Sequence, residues 1–267
     1  MSSIDRTQGR ILFGQTARSY ARVRPDYPAR VSEVLATRCK AGPGRRAFEI
    51  GAGTGKATRM LLELGCEVSA VEPDPRMSTV LIEDLPASLA ARLRVSNLNF
   101  EEAALESGGF DLGVAATAFH WLEPAGALRK VFDLLRPGGH WAMWWNIFDP
   151  VEDDAFQRRT TPLFESLARG PSQTADGRPT FALDVDVRMA ELRAAGFEAA
   201  AFEHMEWAIE HDTEQVLALA ATFSPVSHAT PEAREALMRG LRRITDEEFG
   251  GRVTRHFQTA LYTATRP

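Results

Sequence analysis

Phe48-Glu49-Ile50-Gly51-Ala52-Gly53-Thr54-Gly55-Lys56 is the stretch whose reading decides the fold. A short apolar run ends in three glycines spaced two apart, and a helix-compatible segment opens at Lys56. The pattern is that of a buried strand over Ala47 to Ile50, a tight bend, and a helix start. Glycine lets a backbone approach a ligand closely and take conformations that a β-carbon forbids. A helix start leaves N–H groups without intrahelical partners, so the bend offers donors to whatever lies above it.

Outward from this bend the same alternation repeats. Lys56 to Leu64 reads as a helix, with Met60, Leu61 and Leu64 inward and Gly65 as its stop. Val68 to Val71 is a second strand. Pro75 opens the next helix, running to about Leu85, at a position where its missing N–H costs nothing, and Asp74 is placed to cap it. Arg92 to Ser96 and Phe110 to Ala115 read as strands three and four. Pro124 opens a helix to Leu135, Arg136 to Gly139 (RPGG) reads as a turn, and His140 to Ile147 is a fifth strand. Strands alternating with helices predict parallel βαβ units with right-handed crossovers.

Upstream, Pro25 and Pro28 favour extended backbone before a helix over Ala29 to Lys40, with Val31, Val34 and Leu35 on one face. Downstream, the acidic DPVEDD segment (149–154) predicts the cap of a helix reaching about Ala168, followed by a loop over 170–180. A helix over Val187 to Ala195 ends at Gly196. Strands lie within Phe197 to Glu210 and within Val253 to Ala264, with a helical stretch of about 213–249 between them. That excursion is too long for a hairpin and reads as a lid or cap at the edge of the sheet. The predicted division is a helical segment over 1–45 that covers the site and an α/β domain over 46–267.

The 267 residues are 44% hydrophobic and 25% charged, an ordinary globular balance. A chain of this length buries a sizeable core without metals or disulfides. Cys39 and Cys66 fit neither a zinc spacing nor a disulfide framework and read as packing residues in a reducing, cytoplasmic setting. A formal net charge of -5, with Arg and Lys scattered, argues against a nucleic-acid partner. The first ten residues lack the apolar core of a signal peptide, and no apolar run approaches the ~20 residues of a membrane helix. His204, His211, His228 and His256 show no ligand spacing, so no metal is expected.

A dinucleotide fingerprint is G-x-G-x-x-G. Here the spacing is G-x-G-x-G, with Glu49 two residues before the first glycine. E-x-G-x-G-x-G resembles motif I of the class I S-adenosylmethionine (SAM)-dependent methyltransferases. The resemblance lengthens along the chain. Glu72, in Val71-Glu72-Pro73-Asp74, stands at a strand tip where a carboxylate can accept both hydroxyls of a ribose, a position shared with nicotinamide enzymes. Phe110-Asp111-Leu112 is similar to the family's fourth strand, and Phe119-His120-Trp121 to its "HW" subgroup. Leu134 to Gly139 resembles its L-x-P-G-G turn, and Tyr20…Arg24-Pro25…Tyr27-Pro28 the segment before its core. Good motifs span roughly residues 13–147, and the remainder matches by topology.

The resemblance implies a doubly wound, Rossmann-like, mainly parallel seven-stranded sheet with its last strand antiparallel and SAM across the C-terminal strand ends. Glu49, Gly51, Ala52, Gly53 and Gly55 would form the cofactor loop, facing its methionine and ribose. Glu72 would hold the ribose hydroxyls and Pro73 would lie against the adenine. Asn99, Phe100 and Glu101 are candidates for the adenine loop, and the N6 contact stays open among them. Tyr20 and Arg24 would close over the methionine end, with Arg24 pairing its carboxylate.

A sulfonium is already a good leaving group, so methyl transfer needs an in-line nucleophile at about 3–3.5 Å and little else. A base is needed only where the nucleophile carries a proton. His120 follows the fourth strand and has a suitable ordinary pKa, so it reads as a base, a pocket wall or a packing residue. Trp121 is a pocket-wall candidate. Trp141, Trp144 and Trp145 form a bulky run that suits a core, with Trp144 or Asn146 near enough to the strand's end to reach substrate. The function expected is methyl transfer from SAM to a small-molecule acceptor. The rivals are a SAM-binding module without transferase activity and a nicotinamide-linked oxidoreductase. Against the latter stand the glycine spacing and the lack of a Tyr/Lys or Ser catalytic pattern.

Overall fold

The computed structural model describes residues 17–148, 154–165, 167 and 179–267, without the side chains of Ser19 and Tyr20. The strands are β1 (Arg46–Ile50), β2 (Glu67–Val71), β3 (Leu93–Ser96), β4 (Phe110–Ala116), β5 (Leu135–Ile147), β6 (Glu198–Asp212) and β7 (Arg252–Thr265). They form one sheet in the order β3-β2-β1-β4-β5-β7-β6. The first five run parallel, and β7 is antiparallel to both its neighbours. This is the mainly parallel, seven-stranded architecture expected.

Side chains along a strand alternate between faces, and β5 shows why a bulky apolar run belongs in the core. Trp141, Met143 and Trp145 join Phe48, Ile50 and Tyr262 in one apolar cluster. Ala142 and Trp144 join Ala47, Leu112 and Val114 in another. Both faces are covered, which is why the central strands are apolar at nearly every position. One face lies under helices α2 (Ala29–Thr37) and α3 (Lys56–Glu63), whose Val31, Val34, Leu35, Leu61 and Leu62 are buried there. The other lies under α6 (Pro124–Leu134) and α8 (Val185–Ala194), through Leu128, Val131 and Leu192. Between them in sequence are α4 (Pro75–Asp84) and the short α5 (Ala87–Ala90). Asp74 caps α4 as expected, accepting the N–H of Arg76.

One sequence expectation needs correction. RPGG is not a free turn: Leu135 to Gly139 belong to β5, whose register jumps between the pairs Phe110–Leu135 and Leu112–His140. The extra residues bulge toward the chain's end, where Gly138 N–H donates to Arg266 O and Arg266 N–H to Gly139 O, both at 2.8 Å. Within the segment over 1–45 expected to be helical, α1 (Ala17–Val23) precedes α2. It holds because Ala17 packs on Met77 and Val80 of α4. The expected loop over 170–180, apart from Pro179 and Thr180, and most of the DPVEDD segment fall outside the described residues. Asp154 alone is seen there, capping α7 (Ala155–Phe164) through Gln157 N–H.

Between β6 and β7 lie α9 (Thr213–Ala221), α10 (Ser224–Ser227), α11 (Pro231–Arg243) and a π-helical turn over Ile244–Glu248. Asp212 and Gln215 start α9 with a reciprocal capping box. These helices have their own apolar centres, one of Leu167, Ala220, Val226, Leu237 and Leu241 and one of Phe156, Val216, Ile244 and Val253. The excursion is thus a packed unit with α7, and α9 also touches α1.

Candidate active site

The strand order reverses around β1, and a crevice opens beyond the C-terminal ends of β1, β2, β4 and β5, where open α/β sheets bind ligands. Its lining includes Glu49 to Thr54, Lys56, Glu72, Pro73, Met77, Asn99 and Phe100 on one side. On the other lie Arg24, Pro25, Tyr27, Ala116 to Ala118, Trp121, Leu122, Asn146 and Phe148.

The glycines serve two different ends. A β-carbon on Gly51 would stand 2.6 Å from that of Ala118, so this glycine lets the loops after β1 and β4 meet at the crevice floor. Gly55 takes φ +90° at the start of α3, and a β-carbon there would stand 2.1 Å from Leu81 Cδ1. Gly55 does not line the crevice; it makes room for α4, which corrects its assignment to the cofactor face.

Glu72 lies at the tip of β2, nearly buried. Its Oε2 accepts the N–H of Gly53 at 2.8 Å and its Oε1 that of Asp74 at 2.9 Å. Each oxygen keeps acceptor capacity. Burial pushes the carboxyl up to about 7, against the pull of those two N–H groups. Glu49, which is part of the crevice lining, is buried and accepts the hydroxyl of Thr58 on α3 at 2.5 Å. Burial raises it to about 7 as well, the Thr58 bond opposing and the nearby Glu72 adding to the shift.

The loop after β3 is held from several directions. Asn97 Nδ2 donates to Glu72 O at 3.0 Å and Ser78 Oγ at 2.7 Å. Lys130, from α6, donates to the carbonyls of Phe100, Glu101 and Ala103. Sequence gave no sign of this lysine, because its partners lie about thirty residues away. Asn99 and Phe100 reach the crevice; Glu101 is exposed and does not. The Phe100 ring stacks on Phe48 at 6.2 Å, so the loop residue is anchored through the core.

On the opposite side, the Arg24 guanidinium lies over the rings of Phe148 and Phe223 and donates to Thr222 O at 3.0 Å. This joins the segment before α2 to the helices before β7. The Tyr20 side chain lies outside the described residues. Tyr27, unassigned from sequence, lines the crevice, with its hydroxyl 3.3 Å from Thr117 Oγ1. Thr117 holds φ +54°, a left-handed conformation costing a β-branched residue about 1–3 kcal/mol. It is secured by its N–H to Trp144 O at 2.7 Å.

Two candidates sit behind the wall rather than on it. Trp144 is fully buried, edge-on to Tyr27, and belongs to the core. His120 is 5% exposed and absent from the lining, although its neighbour Trp121 is part of it. The Trp145 indole N–H, which can only donate, bonds His120 Nδ1 at 3.0 Å. The proton of neutral His120 is therefore on Nε2, and its free lone pair is spent on Trp145. This geometry places His120 behind the wall, bonded to Trp145.

Comparison with known proteins agrees with this layout. Residues 48–143 match the family described as "Methyltransferase domain". An uncharacterized methyltransferase of Mycobacterium tuberculosis is 38% identical over 137 residues, 51% of this chain and 53% of that protein. One from Geobacillus kaustophilus is 30% identical over 174 residues, 62% of this chain and 77% of that protein. The chain spans about half the length of the first of these relatives. A solved structure, a putative antibiotic-pathway methyltransferase of Anabaena variabilis, superposes with a TM-score of 0.62 at 16% identity, over 89% of this chain and 97% of that one. With the cofactor-loop motif, the buried Glu72 and the relative from Geobacillus, the chain belongs to the class I SAM-dependent methyltransferase family.

Proposed function

We propose that this protein transfers the methyl group of SAM to a small-molecule acceptor by in-line displacement. The observation that carries the reading is Glu72, a carboxylate buried in the crevice with both oxygens fixed by backbone N–H groups and capacity left on each. That donor and acceptor set fits an adenosyl group. Glu72 would accept the ribose hydroxyls, and Gly51, Ala52 and Gly53 would border the ribose and methionine. Pro73, Asn99 and Phe100 would border the adenine, and Arg24 the methionine carboxylate. SAM supplies the sulfonium-bound methyl group.

The protein's part is positioning and exclusion of water. Trp121, Leu122, Tyr27 and Phe148 give the acceptor end an apolar, aromatic wall suited to a compact molecule. The described part of the 1–45 segment and the 213–249 helices meet over this end through Arg24, Thr222 and Phe223, which supports their reading as cover and cap of a catalytic domain over 46–267. His120 supports Trp121 and Trp145, so a protonated acceptor would need its base elsewhere. Two buried free cysteines support a cytoplasmic setting. Among the described residues, no helix is long and apolar enough to cross a membrane.

Isothermal titration with SAM and with its demethylated product, S-adenosylhomocysteine (SAH), tests the reading. Micromolar binding of both, followed by methyl transfer from labelled SAM to a member of a small-molecule panel, is the expected result. Absence of binding overturns it. Binding without turnover on any acceptor would favour a SAM-binding module.

A further inference from the structure

Three strands are joined at the acceptor end by a hydrogen-bond chain with a direction. Trp207 on β6 donates Nε1–H to Thr259 Oγ1 on β7 at 2.9 Å. Thr259, fully buried, donates in turn to Asn146 Oδ1 on β5 at 2.8 Å. Asn146 Nδ2 donates to the carbonyl oxygen of Asp26 at 3.2 Å. Thr259 and Asn146 are directly paired across the two strands, so their side chains share a face.

The chemistry of the ends fixes the direction. An indole N–H can only donate and a carbonyl oxygen can only accept. With Trp207 at one end and Asp26 at the other, the intervening hydroxyl and amide have one polarity that satisfies every member. A side-chain amide is otherwise free to exchange its oxygen and nitrogen ends. Here the Asn146 oxygen faces Thr259 and its NH2 faces Asp26, and Asn146 is part of the crevice lining. An amide nitrogen has two N–H bonds, and Asp26 takes one.

We propose that Asn146 is a specificity-determining residue of the acceptor site: a locked donor that selects acceptors carrying a carboxylate or carbonyl oxygen and disfavours an ammonium group there. Thr259 and Trp207 are positioning residues that act through it. The proposal rests on the methyl-transfer reading and names its substrate class. An ammonium at this point would set donor against donor, leaving both without a partner, whereas an oxygen acceptor satisfies the waiting N–H.

The test uses the whole protein saturated with SAH and matched probes of one shape and opposite chemistry: benzoate with benzylamine, and hexanoate with hexylamine. Ligand-observed NMR titration gives each affinity. The acids should bind about tenfold or more tightly than their amines. Arg24 lines the same crevice and would also favour acids, so two variants isolate the chain. Thr259→Val removes the link to Asn146 while keeping the side-chain shape, and Trp207→Phe frees its far end. Each should lower acid affinity by roughly threefold to tenfold, with SAH affinity within about twofold and Arg24 unaltered. If Thr259→Val does not fold, Trp207→Phe decides alone. Amines binding as well as acids, no binding preference at all, or acid affinity unchanged in the folded variants would overturn the proposal. Failure of SAH to bind would instead overturn the methyl-transfer reading beneath it, at the first step.

Discussion

The N–H of Gly53, in the loop after β1, is bonded to the side chain of Glu72 at the tip of β2, 2.8 Å apart. One short contact thus joins the glycine-rich bend to the carboxylate proposed to hold the ribose. Because Asp74 fixes the second oxygen, little side-chain freedom remains to be lost when a ligand binds.

Glu72→Ala should weaken SAH binding by roughly tenfold to a thousandfold, the range expected when one or two hydrogen bonds to a charged group are lost. Titration calorimetry measures this directly. Affinity no more than twofold below wild type would remove Glu72 from the ribose role.

Binding should also depend on pH with a defined sign. The carboxyl is pushed up to about 7 by burial, and its ionised form is the better acceptor for two hydroxyls. Affinity for SAH should therefore be nearly constant above pH 8 and fall as pH drops below about 7, by at most about tenfold per unit. Calorimetry in buffers of different ionisation enthalpy should show proton release on binding near pH 7. A flat profile from pH 6 to 8 would contradict the linkage.

Glu49 makes the opposite kind of prediction, about the fold. Below about pH 4.5, folded and unfolded chains both keep its proton. Between there and about 7 the unfolded chain releases it more readily, so this residue lowers stability as pH rises, and the penalty is constant above that window. Glu49→Gln keeps an acceptor for Thr58 and removes the buried charge. It should raise stability at pH 8 by about 1–3 kcal/mol and have little effect at pH 4.5. Chemical denaturation at the two pH values checks this; a destabilised variant at pH 8 would show that the charge is needed.

Gly55→Ala should lower the melting temperature, because the added carbon meets Leu81 in a backbone conformation of φ +90°. Overpacking and strain together suggest about 2–5 kcal/mol. The loss should be smaller when Gly55→Ala is made on a Leu81→Ala background, and a double-mutant cycle by denaturant unfolding reports that coupling. Additive effects would mean that the contact is not the cause.

His120→Leu should behave as a structural lesion. It leaves the Trp145 N–H buried without its acceptor, which costs about 1–3 kcal/mol. His120→Asn should recover much of that stability, and SAH affinity should stay within about threefold. Once an acceptor is found, a loss of turnover approaching a hundredfold or more in a stable His120→Asn protein would restore the histidine as a base.

Much of this protein was legible from local pattern alone. The strand–glycine–helix unit at 48–56, the Asp74–Pro75 helix start and the burial of Trp141, Trp144 and Trp145 follow from periodicity and backbone chemistry, which act over a few residues. Glu49, Gly51, Ala52, Gly53, Glu72, Pro73, Asn99 and Phe100 were also placed at one crevice by the order of strands. Glu101, Gly55, Trp144 and His120 were not, because which way a residue near a strand end points depends on what packs behind it. The bounds of helix α1, within the segment over 1–45 expected to be helical, were not legible for the same reason: Ala17 packs on α4.

By itself, then, the sequence determined the chain's alternation of elements and the residues that gather at the strand tips. Only the tertiary structure decided what each polar group offers. Lys130 fastens the loop after β3, His120 turns its lone pair to Trp145, and Asn146 turns its oxygen to Thr259 and its NH2 to Asp26. Hydrogen-bond direction is set by partners, and the partners of Asn146 stand 120 residues before it and 113 after it.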